Sequence, residues 1–127
     1  MNHSLPLQNY INAEINIKSL NENPHTIIYD ILVELKNNIS LLACCLENKN
    51  SVDEAKSKSF SRSLKAIYIL QSSLDMDADG KIAENLYELY EYCRINIIKS
   101  FTKQDHEKIK SLEPIITEII DGWSEIK

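Results

Sequence analysis

From residue 24 to residue 126 the apolar positions recur at steps of three and four, the spacing that draws one stripe along one face of an α-helix. A first helix is predicted over residues 24–46, with Ile28, Ile31, Leu32, Leu35, Ile39, Leu42 and Leu46 on its stripe. Asn23 followed by Pro24 supplies the start. The Asn side chain accepts from an orphan amide, and the proline lacks an N–H that would have had no partner there. The polar residues 47–51 form a connection, and Ser51 with Glu54 three positions on reads as a capping box opening a second helix. That helix carries Phe60, Leu64, Ile67, Leu70 and Leu74 and is expected to end near Met76, where Asp75, Asp77, Asp79 and Gly80 interrupt the period. A third helix runs to about residue 101 with Ile82, Leu86, Leu89, Tyr90, Cys93 and Ile97 on its stripe. The aspartates before it meet the positive end of its dipole. The last pattern is Ile109, Leu112, Ile116, Ile119, Trp123 and Ile126, spaced four and three apart. Pro114 interrupts it, which predicts a kinked helix starting near Asp105.

Residues 1–22 read differently. Ile11, Ala13, Ile15 and Ile17 alternate, which suits an extended segment, so a partly mobile N-terminal arm is expected ahead of a bundle domain of residues 23–127. Four helices joined by short connections make consecutive neighbours antiparallel. The expected fold is therefore all-α, an antiparallel up-down-up-down four-helix bundle carrying that arm. Two glycines and three prolines in 127 residues leave little turn chemistry for a many-stranded sheet, and the length fits one domain.

Charge narrows the function. A formal charge of −5 and the lack of a Lys/Arg cluster argue against nucleic acid, whose phosphates need a positive stripe. No apolar run approaches the ~20 residues that span a bilayer, and the N-terminus does not read as a signal peptide, so a cytoplasmic protein without stable membrane insertion is expected. Cys44, Cys45 and Cys93 show neither disulfide nor zinc spacing and read as reduced, small hydrophobes. Asp75, Asp77, Asp79, Gly80 and Ile82 match the first part of an EF-hand loop. The twelfth position, which should be a bidentate Glu, is Leu86, so the segment reads as an acidic helix cap. The His106 segment faintly resembles a phosphotransfer histidine, but it lies near a helix start and lacks the following glycine. No nucleophile with its base, phosphate loop or isolated carboxylate pair stands out, so neither catalysis nor a cofactor or metal is expected.

There are more apolar residues than one core needs. At ~100° per residue, Tyr29, Val33, Ile69, Tyr87, Tyr92, Ile95 and Ile98 project off the main stripes. Such a surplus suits a groove for an amphipathic helix or peptide.

One segment carries a family resemblance. Ser73-Leu74-Asp75-Met76, Gly80, Ile82, Ala83, Asn85, Leu86, Leu89, Tyr90 and Tyr92 resemble the signature of the flagellin export chaperones, the FliS family. The similarity extends to the Pro24 helix start, to Ala66, Ile67 and Leu70, to Trp123, and to Tyr10 in the arm. Where family members often have a Leu-Tyr-Asp-Gly-like stretch, this chain has Ile31-Leu32-Val33-Glu34. The resemblance implies a bundle that binds the C-terminal segment of unexported flagellin, prevents its premature polymerisation and presents it to the type III export apparatus. It implies no nucleotide or metal, the flagellar export gate as a further partner, and a monomer or weak homodimer. The candidate partner-binding residues are Tyr10, Tyr29, Val33, Ile69, Leu74, Met76, Tyr87, Tyr90, Tyr92, Ile95 and Ile98. The arm with Tyr10 is expected to cover the groove when no client is bound. Two other classes stand beside this reading: a bundle adaptor or homodimeric interaction protein, and a histidine phosphotransfer domain.

Overall fold

The computed structural model describes residues 23–125, and the arm with Tyr10, together with Ile126, lies outside the described residues. Among the described residues five helices follow one another: α1 (Pro24–Glu47), α2 (Asp53–Ser72), α3 (Met76–Lys103), α4 (His106–Lys110) and α5 (Glu113–Glu125). They make an all-α four-helix bundle in which α4 and α5 together take the fourth place, and no strand occurs among the described residues. α1 is the hub. It packs against α2, α4 and α5, while α3 packs against α2 and α4.

Most helix ends follow local chemistry visible in the sequence. Asn23 Oδ1 accepts from the Thr26 amide at 2.9 Å, and Pro24 occupies the first turn of α1. Asp75 Oδ1 accepts from the Asp77 and Ala78 amides at 3.0 and 2.9 Å, so the first aspartate of the acidic turn caps α3. Gly80 then breaks α3 one turn in, at φ 51° and ψ −115°, a conformation a side chain would strain. α3 ends at Gln104, whose φ of 56° reverses the chain, and Asp105 caps α4 by accepting from the Lys108 amide at 3.1 Å.

Three boundaries differ from expectation. The capping box at Ser51 does not form: its hydroxyl donates to the Cys45 carbonyl at 2.7 Å, sealing the end of α1, and Val52 precedes α2 with no side-chain cap. The second helix stops at Ser72, and Met76 begins the third helix instead of closing the second, because the Asp75 cap claims the following amides. The kinked last helix is resolved into two pieces. Ser111 and Leu112 separate α4 from α5, which places Pro114 in the first turn of α5, where its missing N–H is harmless.

The core runs along α1, where Leu32, Leu35, Ile39 and Leu42 are fully buried, and takes Ile67 and Leu70 from α2, Tyr90, Cys93 and Ile97 from α3, and Ile109, Leu112 and Ile116 from the last two helices. Burial pushes the Cys93 thiol up to about 12 and raises the Tyr90 phenol, so both stay protonated. Cys45 is buried too, whereas Cys44 faces solvent. The face of α2 turned inward is not centred on its predicted stripe. Ser59, Ser63 and Ala66 are buried beside Ile67, Ile69 and Leu70, while Phe60 and Leu64 are only half buried. Small side chains let α1 and α2 approach closely. The serines satisfy themselves locally, Ser63 Oγ donating to the Ser59 carbonyl at 2.8 Å and Ser59 Oγ to the Lys56 carbonyl at 3.0 Å.

Candidate functional site

α5 is fastened to α1 at both ends. Ser40 Oγ donates to Glu113 Oε1 at 3.0 Å near the start of α5. Near its end, His25 and Trp123 bond reciprocally. His25 Nε2–H donates to the Trp123 carbonyl at 2.8 Å, the indole N–H donates to the His25 carbonyl at 2.9 Å, and the rings stack with centroids 5.0 Å apart. Held against α1 in this way, α5 leaves a furrow between itself and the first half of α3.

That furrow is apolar on both walls. α3 contributes Ile82, Leu86 and Leu89, and α5 contributes Ile115, Ile119 and Trp123. Gly122 opens its α5 wall, and among the described residues Glu118 is the only charged side chain lining it. Its volume is about 380 Å³. A cavity of about 150 Å³ accepts a benzene ring, so the furrow has room for two groups of that size. Ile82 is 67% exposed and Leu89 40%, a large apolar exposure for neighbours two turns apart on one helix.

A second depression of about 350 Å³ lies on α2, lined by Phe60, Leu64 and Tyr68 with Ser61 and Lys65. Phe60 stacks on Phe101 of α3 at 4.0 Å between centroids. The same edge of α3 carries Glu91, which accepts from Arg94 Nε at 2.9 Å and from Gln71 of α2 at 3.1 Å. Those two bonds, Arg94 first, hold the Glu91 carboxyl down at about 2.

The predicted partner-binding residues fall into different places. Tyr29, Met76, Tyr87, Tyr92 and Ile95 are exposed, and Val33, Leu74 and Ile98 are half buried, with Leu74 resting on the core. Ile69 and Tyr90 are corrections. They are only 2% and 3% exposed, because the close α1–α2 seam turns Ile69 inward and Tyr90 shares the inner face of α3 with Cys93 and Ile97, so neither presents a surface. The exposed members do not share one face. At ~100° per residue Tyr87 and Ile95, with half-buried Ile98, lie around Glu91 on the α2 side of α3, whereas Tyr92 turns to α4, where Lys108 Nζ stands 6.0 Å from its ring.

Of the furrow residues, Ile82, Leu86, Leu89, Ile119 and Trp123 lie on the main helical stripes read from the sequence, whereas Ile115 and Gly122 lie off them. Ile82, Leu86 and Leu89 have correct helical spacing, but Ile82 and Leu89 lie about 80–100° around the helix from Tyr90, too far for one neighbour to cover both edges. That angular width, and a glycine beside the tryptophan of α5, were the available signals.

Asp75 is occupied as a helix cap, and Leu86, at the twelfth position of the apparent calcium loop, rests against the core. His106 is the first residue of the short α4. No helix among the described residues is long and apolar enough to cross a membrane.

Residues 6–127 match the family described as flagellar protein FliS. The chain is similar to the flagellar secretion chaperone FliS of Salmonella typhimurium, 26% identical over 117 residues that cover 90% of this chain and 85% of the relative. It is likewise similar to the flagellar secretion chaperone FliS of Vibrio cholerae, 25% identical over 120 residues covering 94% and 87%. The helical bundle, the Ser73–Tyr92 segment at its α2–α3 corner and a family match over nearly the whole length agree, and the chain belongs to the flagellar protein FliS family.

Proposed function

We propose that the protein is a cytoplasmic export chaperone that binds the C-terminal segment of unexported flagellin and hands it to the type III flagellar export apparatus. The observation that carries this reading is the α3–α5 furrow, an open, two-walled apolar surface on a protein of a secretion-chaperone family. A client segment with an apolar face offers the complementary chemistry. An amphipathic segment laid between α3 and α5 buries its apolar face against Ile82, Leu86, Leu89, Ile115 and Ile119, and is then withheld from other flagellin copies. The depression at Phe60, Leu64 and Tyr68 on α2 gives an extended client a second contact.

The mechanism is binding and release, with no bond made or broken. Affinity comes from apolar area removed from water, about 25 cal/mol per Å², less the cost of ordering the client. The test is calorimetric titration of the full chain with a synthetic peptide of the C-terminal segment of flagellin from the same organism. Binding with a negative heat-capacity change is expected. No heat and no complex on size exclusion would reject the chaperone reading and favour an adaptor or a homodimer.

A further inference from the structure

A glycine inside a helix costs about 1 kcal/mol relative to alanine. Gly122 lies within α5, and neither a turn nor a positive φ asks for glycine there. A Cβ built at this position meets none of the described residues within 4 Å, so none of their side chains requires the gap either. What the missing side chain leaves is space in the furrow, next to the Trp123 indole. That indole is held in place: the His25 ring stacks on it, and two hydrogen bonds tie the pair to the start of α1.

We infer that Gly122 is a specificity-determining position: beside the pinned indole it leaves a notch in the α5 wall that receives one bulky apolar side chain of the bound segment. This rests on the furrow being the client site, as proposed above. The inference explains why a helix of a stable bundle keeps a residue unfavourable to helix formation. His25 serves as a positioning residue, keeping the Trp123 ring from swinging into the notch.

The notch predicts effects of opposite sign on stability and binding. In the full chain, Gly122→Ala should raise Tm by about 2–5 °C, because alanine is the better helix former. The same change should weaken the flagellin peptide about threefold, and Gly122→Leu, whose side chain fills the notch, at least tenfold. Trp123 is the only tryptophan in the chain, so its emission reports occupancy of the furrow directly. Ser124→Ala, on the exposed side of α5, removes only a local bond from its hydroxyl to the Asp121 carbonyl, controls for a change in the helix away from the furrow and should leave affinity unchanged. A peptide series with single large-to-Ala changes completes the test. One of them should bind wild type poorly and lose no further affinity with Gly122→Leu, a coupling that identifies the side chain seated in the notch.

Wild-type affinity in Gly122→Leu overturns the inference, and so does a loss of affinity accompanied by a fall in Tm, which assigns the effect to a damaged helix. If the wild-type chain binds no peptide and its emission does not respond, the furrow reading itself falls and takes the notch with it. Peptide binding by the wild type that is indifferent to residue 122 removes the notch alone.

Discussion

The seam between α1 and α2 and the furrow between α3 and α5 are both lined by amphipathic helices rich in Ile and Leu, yet one is closed and the other open. In α2, Ser59, Ser63 and Ala66 lie on the buried face with Ile67, and across from it Leu35 and Ile39 of α1 are fully buried. In the furrow both walls carry branched side chains, and α5 is tied to α1 instead of to α3 by Ser40–Glu113 and His25–Trp123. Apolar spacing alone therefore does not decide whether a helix face becomes core or binding surface. The size of the residues between the apolar ones, and the polar ties that set each helix's partner, decide it.

The contrast breaks most visibly by truncating the closed side. Ile67→Ala should cost about 2–5 kcal/mol in urea unfolding, since a fully buried side chain leaves a cavity. Enlarging the seam is next. Ser63→Leu forces the helices apart and should cost about 1–3 kcal/mol, while the same change at exposed Ser61 should cost little. On the open side the response moves from stability to binding. Ile82→Asp should change unfolding free energy by no more than about 0.5 kcal/mol, yet weaken the flagellin peptide about tenfold or more in calorimetry. A large stability loss there would mean that the furrow belongs to the core.

The smallest effect is electrostatic and lies at the α2–α3 edge. The Glu91 carboxyl is lowered from 4.5 to about 2, by Arg94 first and then Gln71. A depressed carboxylate contributes stability that is present above its ordinary value and lost as pH falls through its folded one, so the contribution fades between about 4.5 and 2. Glu91→Gln should flatten the acid limb of stability in that window, with no change in peptide binding at neutral pH. The effect is small because solvent screens the pair.

How much was legible differs between the two regions for the same reason. The stripe of α1 from Ile31 to Leu46 was read correctly because α1 is surrounded, so nearly every apolar position on its stripe finds a neighbour. Ile82 and Leu89 obey the same period and were assigned inward, but among the described residues no helix covers them. Ile69 failed in the opposite sense: off-stripe by angle, it is drawn into the core where small residues close the seam. Ser51 lost its predicted cap because the Cys45 carbonyl, an unsatisfied acceptor at the end of α1, lies within reach once the chain turns.

Sequence by itself determined the all-α class and its main helical stripes, the Asn23 cap, the acidic cap ahead of α3 and the family, because these depend on residues a few positions apart or on a contiguous signature. Only the tertiary structure decided which apolar faces stay uncovered. His25 and Trp123 are 98 positions apart, and Ser40 and Glu113 are 73 apart; no periodicity reveals that these contacts pull α5 to α1 and leave a furrow beside α3. Exposure of a side chain is set by which helix arrives next to it, and that choice belongs to the whole bundle.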